Sequence, residues 1–128
     1  FETKSRPRFE MERIVFDTME FHEDGAIAVA VLWRKDIDRV GADMDDLDSI
    51  ASLTRQIEGV QIGVMIREVE DGLGKISLRT EAPYDAAQIC GLLGGGGHAA
   101  AAGASVPGGV EGAKAAILQA LRDSGVKL

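Results

Sequence analysis

The segment Gly94-Gly95-Gly96-Gly97-His98 holds the residues best suited to chemistry in this sequence. Glycine loses more conformational freedom on folding than any other residue, so four in a row are costly to order. Glycine also allows positive φ angles, and successive N–H groups can then converge into a nest that holds an anion. The small residues 99–103 predict a helical turn packed beneath this nest, with its N-terminal dipole directed at the same anion. His98 adds a hydrogen-bond donor, and the segment therefore predicts a phosphate-binding loop.

The main alternative for this segment is a flexible glycine hinge before an alanine-rich helix, and spacing alone favours neither interpretation. Flexible linkers are rich in serine and other hydrophilic residues, whereas this loop lies between two apolar segments and carries a single histidine. No Gly-Lys-Ser/Thr follows the glycines, and no strand leads directly into a GxGxxG helix. The sequence therefore does not support hydrolysis of nucleoside triphosphates.

Arg79 is the second residue suited to binding an anion. Residues 75–80 alternate between apolar and polar side chains, which predicts a strand whose outer face carries Lys75, Ser77 and Arg79. An arginine in such a position is ordinarily solvated or held in a weak surface pair. A guanidinium can also grip phosphate with two parallel hydrogen bonds, and a short connection places Arg79 and Thr80 within reach of the glycine loop. We therefore predict that this strand end meets a ligand.

Other kinds of chemistry find little support in the sequence. His22 has no second histidine or cysteine near it, so a solvated histidine is a better interpretation than a metal ligand. Four carboxylates between Asp43 and Asp48 lack the spacing, glycine and closing glutamate of an EF-hand, and helix capping explains them better. No nucleophile and base stand out as a pair. We expect no metal site and no catalytic residue in this chain.

Charge and composition limit the ligand and the cellular setting. The 14 Lys and Arg residues against 21 Asp and Glu residues give a net charge of −7, so any phosphate site must be local. The single cysteine, Cys90, lies in an apolar stretch, and a free core thiol fits a reducing cytoplasm. No window approaches the length of about 18 apolar residues that a membrane span needs, and no signal peptide is evident. We expect a cytoplasmic protein without a membrane partner.

Hydrophobic periodicity predicts the elements that must position these residues. Helical spacing of apolar residues occurs in residues 8–19, in about 46–57, from 85 to the glycines, and in 113–121. The wholly apolar run 26–33 predicts a strand covered on both faces, and residues 60–66 and 75–80 predict a hairpin. Because strands and helices alternate, we predict one α/β domain with a mixed β-sheet flanked by helices.

Three segments together resemble a known family. The run Gly94 to His98, followed by Ala101-Ala102-Gly103, resembles the signature of the DHH-associated domain of the first subtype, which lies at the C-terminus of DHH-family phosphoesterases. Residues 77–80, Ser-Leu-Arg-Thr, resemble the family's Ser-Phe/Leu-Arg-Ser strand, and residues 57–60, Ile-Glu-Gly-Val, resemble the element before the preceding strand. The glycine and histidine signature is specific, and the other segments are weaker. The bacterial branch of oligoribonucleases and 3′-phosphoadenosine 5′-phosphate phosphatases is the most similar.

The resemblance implies that this chain is one domain of a longer protein, in which a second domain carries out catalysis. The start at Phe1, without an initiator methionine, also suggests a longer protein. Residues 1–22 would be a linker and first helix leading from an absent catalytic domain, and residues 23–128 the substrate-binding domain. In such enzymes the N-terminal DHH domain holds two divalent cations, commonly manganese, and faces the associated domain across a cleft that takes short RNA or a small nucleotide. A homodimer of the intact protein is compatible with this arrangement. By resemblance, phosphate binding falls to six residues: Arg79, Thr80, Gly95, Gly96, Gly97 and His98.

Two other functions remain open within the resemblance. Related domains form the C-terminal end of alanyl-tRNA synthetases, where they contact tRNA and have no catalytic role. Those domains typically carry arginine at the position of His98 and have more basic residues. The same pair of domains also forms phosphodiesterases for cyclic dinucleotides, which would be distinguished upstream of Phe1. This sequence departs from the family pattern at Thr80, where serine is usual, and at Ala99-Ala100, where a charged residue is common. The loss of that charge would weaken or retune binding.

Overall fold

The computed structural model describes residues 3–126, so Phe1 and Glu2 of the predicted linker lie outside the described part. The helices are α1 (Arg6–Thr18), α2 (Arg34–Val40), α3 (Met44–Ile50), α4 (Ala86–Gly91) and α5 (Gly109–Asp123). The strands are β1 (Glu20–His22), β2 (Ile27–Leu32), β3 (Ile62–Glu68), β4 (Leu73–Thr80), β5 (Gly96–Gly97) and β6 (Ala101–Pro107). Two short 3₁₀ segments, Leu53–Gln56 and Glu70–Gly72, precede β3 and β4.

The strands form one sheet in the order β1-β2-β3-β4-β6-β5. Strands β2 and β3 are parallel, and the other neighbours are antiparallel. The sheet is therefore mixed and carries helices, which confirms the predicted α/β domain. The predicted hairpin is also confirmed, as β3 and β4 pair from Ile62 opposite Thr80 to Glu68 opposite Gly74.

The two faces of the sheet are covered to different extents. One face carries buried apolar side chains along all four long strands, and α4 and α5 pack on it. On the second face, α1 packs against β2, and residues of α1, α2, α3 and the Leu53–Gln56 segment share a core cluster with Ala30, Leu32 and Met65 of β2 and β3. Beyond β3 this second face holds only partly buried or exposed residues. We call this part the open face, which consists of Leu73, Lys75, Ser77, Arg79, Gly96, His98, Ala101, Gly103, Ser105 and Pro107.

Helix α1 is an integral part of the domain, because Met11 and Val15 on its inner side are fully buried. Its N-cap residue Ser5 accepts a hydrogen bond from the backbone N–H of Arg8 at 3.1 Å and donates one to Asp46 of α3 at 2.8 Å. The Ser5 hydroxyl, followed by the backbone N–H of Asp43, holds the pKa of Asp46 below its usual value. The division of the chain at residue 23 stays a prediction.

The helix predicted for residues 46–57 is wrong in its bounds. Asp43 and Asp46 form a reciprocal capping box, as the acidic cluster predicted, but α3 ends at Ile50 and a separate 3₁₀ segment follows. The break brings Thr54 against the sheet, since a β-carbon added to Gly63 would lie 2.1 Å from the Thr54 hydroxyl. The close approach to Gly63, which is distant in sequence, was not visible in the helical periodicity.

Candidate functional site

Arg79 lies at the end of β4, on the open face. Its neighbours in the strand, Leu78 and Thr80, are 0% and 4% exposed, so the predicted alternation is confirmed. The guanidinium makes one weak hydrogen bond, to the carbonyl of Leu78 at 3.4 Å. Among the side chains that the structure describes, no carboxylate lies within 4.0 Å of it. Arg79 thus presents a partly buried cation with most of its donors uncommitted.

His98 lies on the same face as Arg79. It is joined to Ala101 by two backbone hydrogen bonds, of 2.8 Å and 3.2 Å, across the tight turn between β5 and β6. Ala101 in turn lies directly opposite Arg79 in the register of β4 and β6. Directly opposite residues project to the same side of a sheet, and two inter-strand steps of about 4.8 Å separate the two backbones. The two side chains can therefore converge on one anion above Ala101.

The prediction of a helical turn after the glycines is wrong. Residues Ala101–Pro107 form β6, which pairs with β4 on one side and β5 on the other. The buried positions Ala102, Ala104 and Val106 alternate with more exposed ones, and this period of two is the signal that the alanine content obscured. Alanine favours helices intrinsically, but pairing along the whole of β4 overrides that preference.

The predicted nest of free N–H groups is wrong for Gly94 and Gly95. The N–H of Gly95 donates to the carbonyl of Cys90 at 2.9 Å, and the N–H of His98 donates to Ala101 at 2.8 Å. The N–H of Gly94 also has an acceptor within the protein, the carbonyl of Gly91 at 3.1 Å. An N–H group that already has an acceptor within the protein contributes little to binding an external anion. The side chain of His98 and the exposed backbone of β5 are what this loop offers to a ligand.

Close packing explains why glycine is needed at two positions of the loop. A β-carbon added to Gly95 would lie 2.1 Å from the carbonyl oxygen of Gly103, and one added to Gly97, whose φ is +148°, would lie 2.7 Å from that of Ala101. A β-carbon at Gly96 would meet no atom within 4 Å. Gly96 and Gly97 are exposed. The glycines thus let β5 lie tightly against β6 and keep its outer backbone accessible.

Thr80 holds the turn after β5 in place. Its hydroxyl lies 2.9 Å from the carbonyl oxygen of Ala99 and 3.0 Å from that of Tyr84, and its backbone N–H donates to Ala100 at 3.0 Å. Only 4% of the residue is exposed. The hydroxyl can donate one hydrogen, and both acceptors close to it belong to the protein. In this geometry Thr80 positions Arg79 and the turn that carries His98.

Replacing Thr80 with valine is expected to destabilise the chain by about 1–2 kcal/mol, because buried carbonyl oxygens lose their donor while the side-chain volume is kept. Thr80→Ser retains the hydroxyl and serves as the matched control. Its loss of stability should be smaller, and urea denaturation of the two variants measures the difference. Equal losses in both variants would show that the methyl group, and not the hydroxyl, secures the turn.

The sequence identified Lys75 and Ser77 as outer-face residues but did not include them in the site. The register places both on the open face, opposite Ser105 and Gly103 of β6. The alternation that selected Arg79 could have selected them as well, since the three residues are spaced by two. The residues of β5 and β6 on this face, such as Gly96, Ala101 and Gly103, have small side chains or none. They therefore leave room for a ligand beside β4.

Two cavities lie at the end of the sheet where β4 finishes and where β2 and β3 begin. One has a volume of about 120 Å³ and is lined by Thr80, Ala82, Tyr84, Ala99 and Ala100. The other has a volume of about 280 Å³, lies beside the end of α5, and is lined by neither Arg79 nor His98. Tyr84 borders both cavities. Arg79 and His98 line neither of these two cavities.

The acidic, histidine and cysteine side chains of the described residues are scattered. No group of three or more of them is placed to hold a metal ion. Cys90 is a buried free thiol, as predicted, and burial raises its pKa. The Nε2 atom of His22 lies 3.8 Å from a carboxylate oxygen of Glu20.

No helix within residues 3–126 is long and apolar enough to cross a membrane.

The sequence matches known proteins along most of its length. The family model described as the DHHA1 domain matches residues 24–124, which confirms the resemblance. The chain is 36% identical over 110 residues to the bifunctional oligoribonuclease and PAP phosphatase NrnA of Thermus thermophilus. The match covers 85% of this chain and 32% of that protein, so this chain spans about a third of the length of that relative.

Solved structures share the fold. A crystal structure of an exopolyphosphatase-related protein from Bacteroides fragilis aligns with a TM-score of 0.85 at 24% identity, covering 94% of this chain and 36% of that one. The pGpG-specific phosphodiesterase PggH from Vibrio cholerae aligns with a TM-score of 0.52 at 14% identity, covering 91% and 40%. At these identities the likeness concerns the fold alone.

Proposed function

Because this chain belongs to the DHHA1 domain family, we propose that its open face binds the terminal phosphate of a short oligoribonucleotide or small phosphorylated nucleotide. Arg79 and His98 bind the phosphate oxygens, and the exposed backbone of Gly96 and Gly97 lies against the ligand. Thr80 and Gly95 position these groups without touching the ligand. Hydrolysis takes place in a separate DHH domain of the whole protein. That domain holds two divalent cations, for which manganese is the first candidate.

The placement of Arg79 is the observation that carries this proposal. The chain has an excess of seven negative charges, and most of its described arginines pair with a carboxylate or a neighbouring polar group. Arg79 has neither an acidic partner nor full exposure to water. A guanidinium left without an anion on a partly covered surface is suited to bidentate binding of phosphate.

The ligand class is supported by the charge of the chain and by its relative. Binding of a long polyanion needs a broad basic surface, and the net charge of −7 argues against one on this chain. The relative that is 36% identical is named a bifunctional oligoribonuclease and PAP phosphatase, which supports a short oligoribonucleotide or small nucleotide as the ligand. A tRNA-binding role would call for more basic charge, so we place it second.

The two histidines of the chain allow a matched test of this proposal. His98→Ala is expected to weaken the binding of 5′-phosphorylated diadenylate about tenfold, the effect of one hydrogen bond to a charged group. His22→Ala removes the same side chain at a distance from the open face and should leave the affinity unchanged. Calorimetric titration of this chain at fixed salt measures both. Full affinity in the His98 variant would show that the glycine loop is only structural.

A further inference from the structure

The phenylalanines of this chain lie on its surface and not in its core. Phe9, Phe16 and Phe21 are 49%, 46% and 50% exposed, and they are all the phenylalanines that the structure describes. Phenylalanine is among the residue types that are most often buried. Two of the three lie on α1, and the third lies on β1, the next element. A single exposed apolar residue needs no explanation, but a group of aromatic side chains indicates a surface that meets a partner.

Two of these side chains belong to one stripe along the outer side of α1. The exposed residues Arg6, Phe9, Arg13 and Phe16 follow one another at intervals of three, four and three positions. Residues at this spacing lie on one side of a helix and form the seam of a coiled coil. The buried residue Met11 lies on the opposite side, which packs on the domain. Helix α1 thus presents a second seam to a partner outside the domain.

The charges at the ends of α1 oppose the dipole of the helix. The first turn carries Arg6 and Arg8 and no acidic residue, and the last turn carries Asp17 and no basic residue. Both placements destabilise the helix, because its N-terminal end is partially positive and its C-terminal end partially negative. Arg8 pairs with Glu12 at 3.1 Å. Among the side chains that the structure describes, neither Arg6 nor Asp17 has an oppositely charged group within 4.0 Å.

An antiparallel second copy of α1 complements both the stripe and the charges. A register that places Phe9 of one copy against Arg13 of the other also places Arg6 against Phe16. A guanidinium over the face of an aromatic ring is attracted to it. The same register brings Arg6 of each copy beside Asp17 of the other. A parallel pairing would instead place each arginine of the stripe against itself, so the order of charges favours the antiparallel arrangement.

We infer that the outer side of α1 is a self-association surface, on which a second copy of this chain docks with its α1 antiparallel to the first. Phe21 is opposite Ala28, on the side of the sheet that α1 covers, and extends the apolar surface. The 13 residues of α1 span about 20 Å, which places the interface at the small end of specific interfaces. The expected dimer is therefore weak, with a Kd on the order of 100 µM.

This surface is separate from the open face, since α1 packs against β2 and the open face begins beyond β3. Two copies joined through α1 can each keep Arg79 and His98 accessible. The inference therefore does not depend on the proposed ligand.

Sedimentation equilibrium of this chain, from about 10 to about 500 µM, measures the self-association. Phe16→Ala is expected to raise the Kd at least about tenfold, because the two-fold symmetry removes the ring from two contacts at once. Leu92→Ala is the matched control, since it removes another exposed apolar side chain from the end of α4. That variant should keep the Kd of the unchanged chain. Circular dichroism checks that both variants retain the fold.

A pair of charge reversals tests the antiparallel register. Arg6→Asp and Asp17→Arg should each weaken self-association about tenfold, because each places like charges together in both contacts of the dimer. An equimolar mixture of the two variants should regain the affinity of the unchanged chain, since each altered residue then meets an opposite charge. A residue that only stabilises its own helix would not be rescued by mixing.

Three outcomes would overturn the inference. A monomer at every concentration would exclude a second copy and would indicate that the stripe contacts another domain or a different protein. A dimer with the same Kd in Phe16→Ala as in the unchanged chain would place the interface elsewhere. Reversed charges that weaken the dimer and are not rescued in the mixture would contradict the pairing of Arg6 with Asp17.

Discussion

Arg79→Ala is expected to weaken the binding of 5′-phosphorylated diadenylate by about thirtyfold, the largest loss from any single substitution on the open face. The guanidinium can make two parallel hydrogen bonds to a phosphate, and loss of such charge-assisted contacts costs about 2 kcal/mol. In the described structure the group has only a 3.4 Å contact to a carbonyl, so it gives up little when it turns to a ligand. Titration calorimetry at fixed ionic strength measures the loss.

A conservative variant tests whether geometry or charge carries this effect. Arg79→Lys keeps the positive charge but loses the planar fork, and its affinity should fall by about fivefold, between the two extremes. Arg122→Ala removes an exposed arginine of α5 and should leave the affinity unchanged. If Arg79→Ala binds as well as the unchanged chain, the open face does not hold the terminal phosphate. If Arg79→Lys equals Arg79→Ala, the bidentate contact accounts for the whole effect.

Gly95→Ala is expected to lower the free energy of unfolding by about 3 kcal/mol, at the upper end of the usual cost of overpacking. The added β-carbon would lie 2.1 Å from the carbonyl oxygen of Gly103 and 2.7 Å from the β-carbon of Ala104. Backbone of the neighbouring strand cannot move aside as a flexible side chain would. Strand β5 must then separate from β6, which would also displace His98. Urea denaturation measures the change.

The adjacent glycine provides the matched control for this prediction. Gly96→Ala adds the same methyl group where no atom lies within 4 Å, and its φ is not positive. Its effect on stability should stay within about 0.5 kcal/mol, as for surface substitutions in general. Equal destabilisation by the two substitutions would contradict the explanation based on close packing. It would indicate that the flexibility of the whole glycine run matters instead.

Local patterns predicted those elements whose signals lie within one segment. Strand β2 was evident from its unbroken apolar run, and α5 from apolar residues at helical spacing that are now found buried, such as Ile117 and Leu121. The cap of α4 was also correct, since the Asp85 side chain accepts a hydrogen bond from the N–H of Gln88 at 3.1 Å. These features depend on neighbours within a few residues of each other.

Other elements left no adequate local signal. Strand β1 has three residues, of which only His22 is partly buried, and it exists because it pairs with the edge of β2. Helix α2 has no side-chain cap, and one of its seven residues, Ile37, is buried. Strand β6 is made largely of alanine and glycine, which favour other structures. Each of these depends on contacts with residues distant in the sequence.

By itself, the sequence determined the type of each candidate residue and the side of its own strand on which it lies. The alternation of β4 was sufficient to place the side chains of Arg79 and Leu78 on different faces of the sheet, because the period of two is a local property of extended backbone. The run of glycines followed by His98 was sufficient to indicate the family. That a net charge of −7 limits the chain to a local anion site stays a prediction.

Only the tertiary structure decided that these residues share one uncovered surface. The pairing of Arg79 with Ala101, and of Ala101 with His98, joins three segments that are far apart in the chain or separated by a turn. Helices α1 to α3 cover the neighbouring strands and stop at β3, which leaves the open face accessible. Register and coverage are set by contacts between distant segments, and the order of residues along one segment does not contain them.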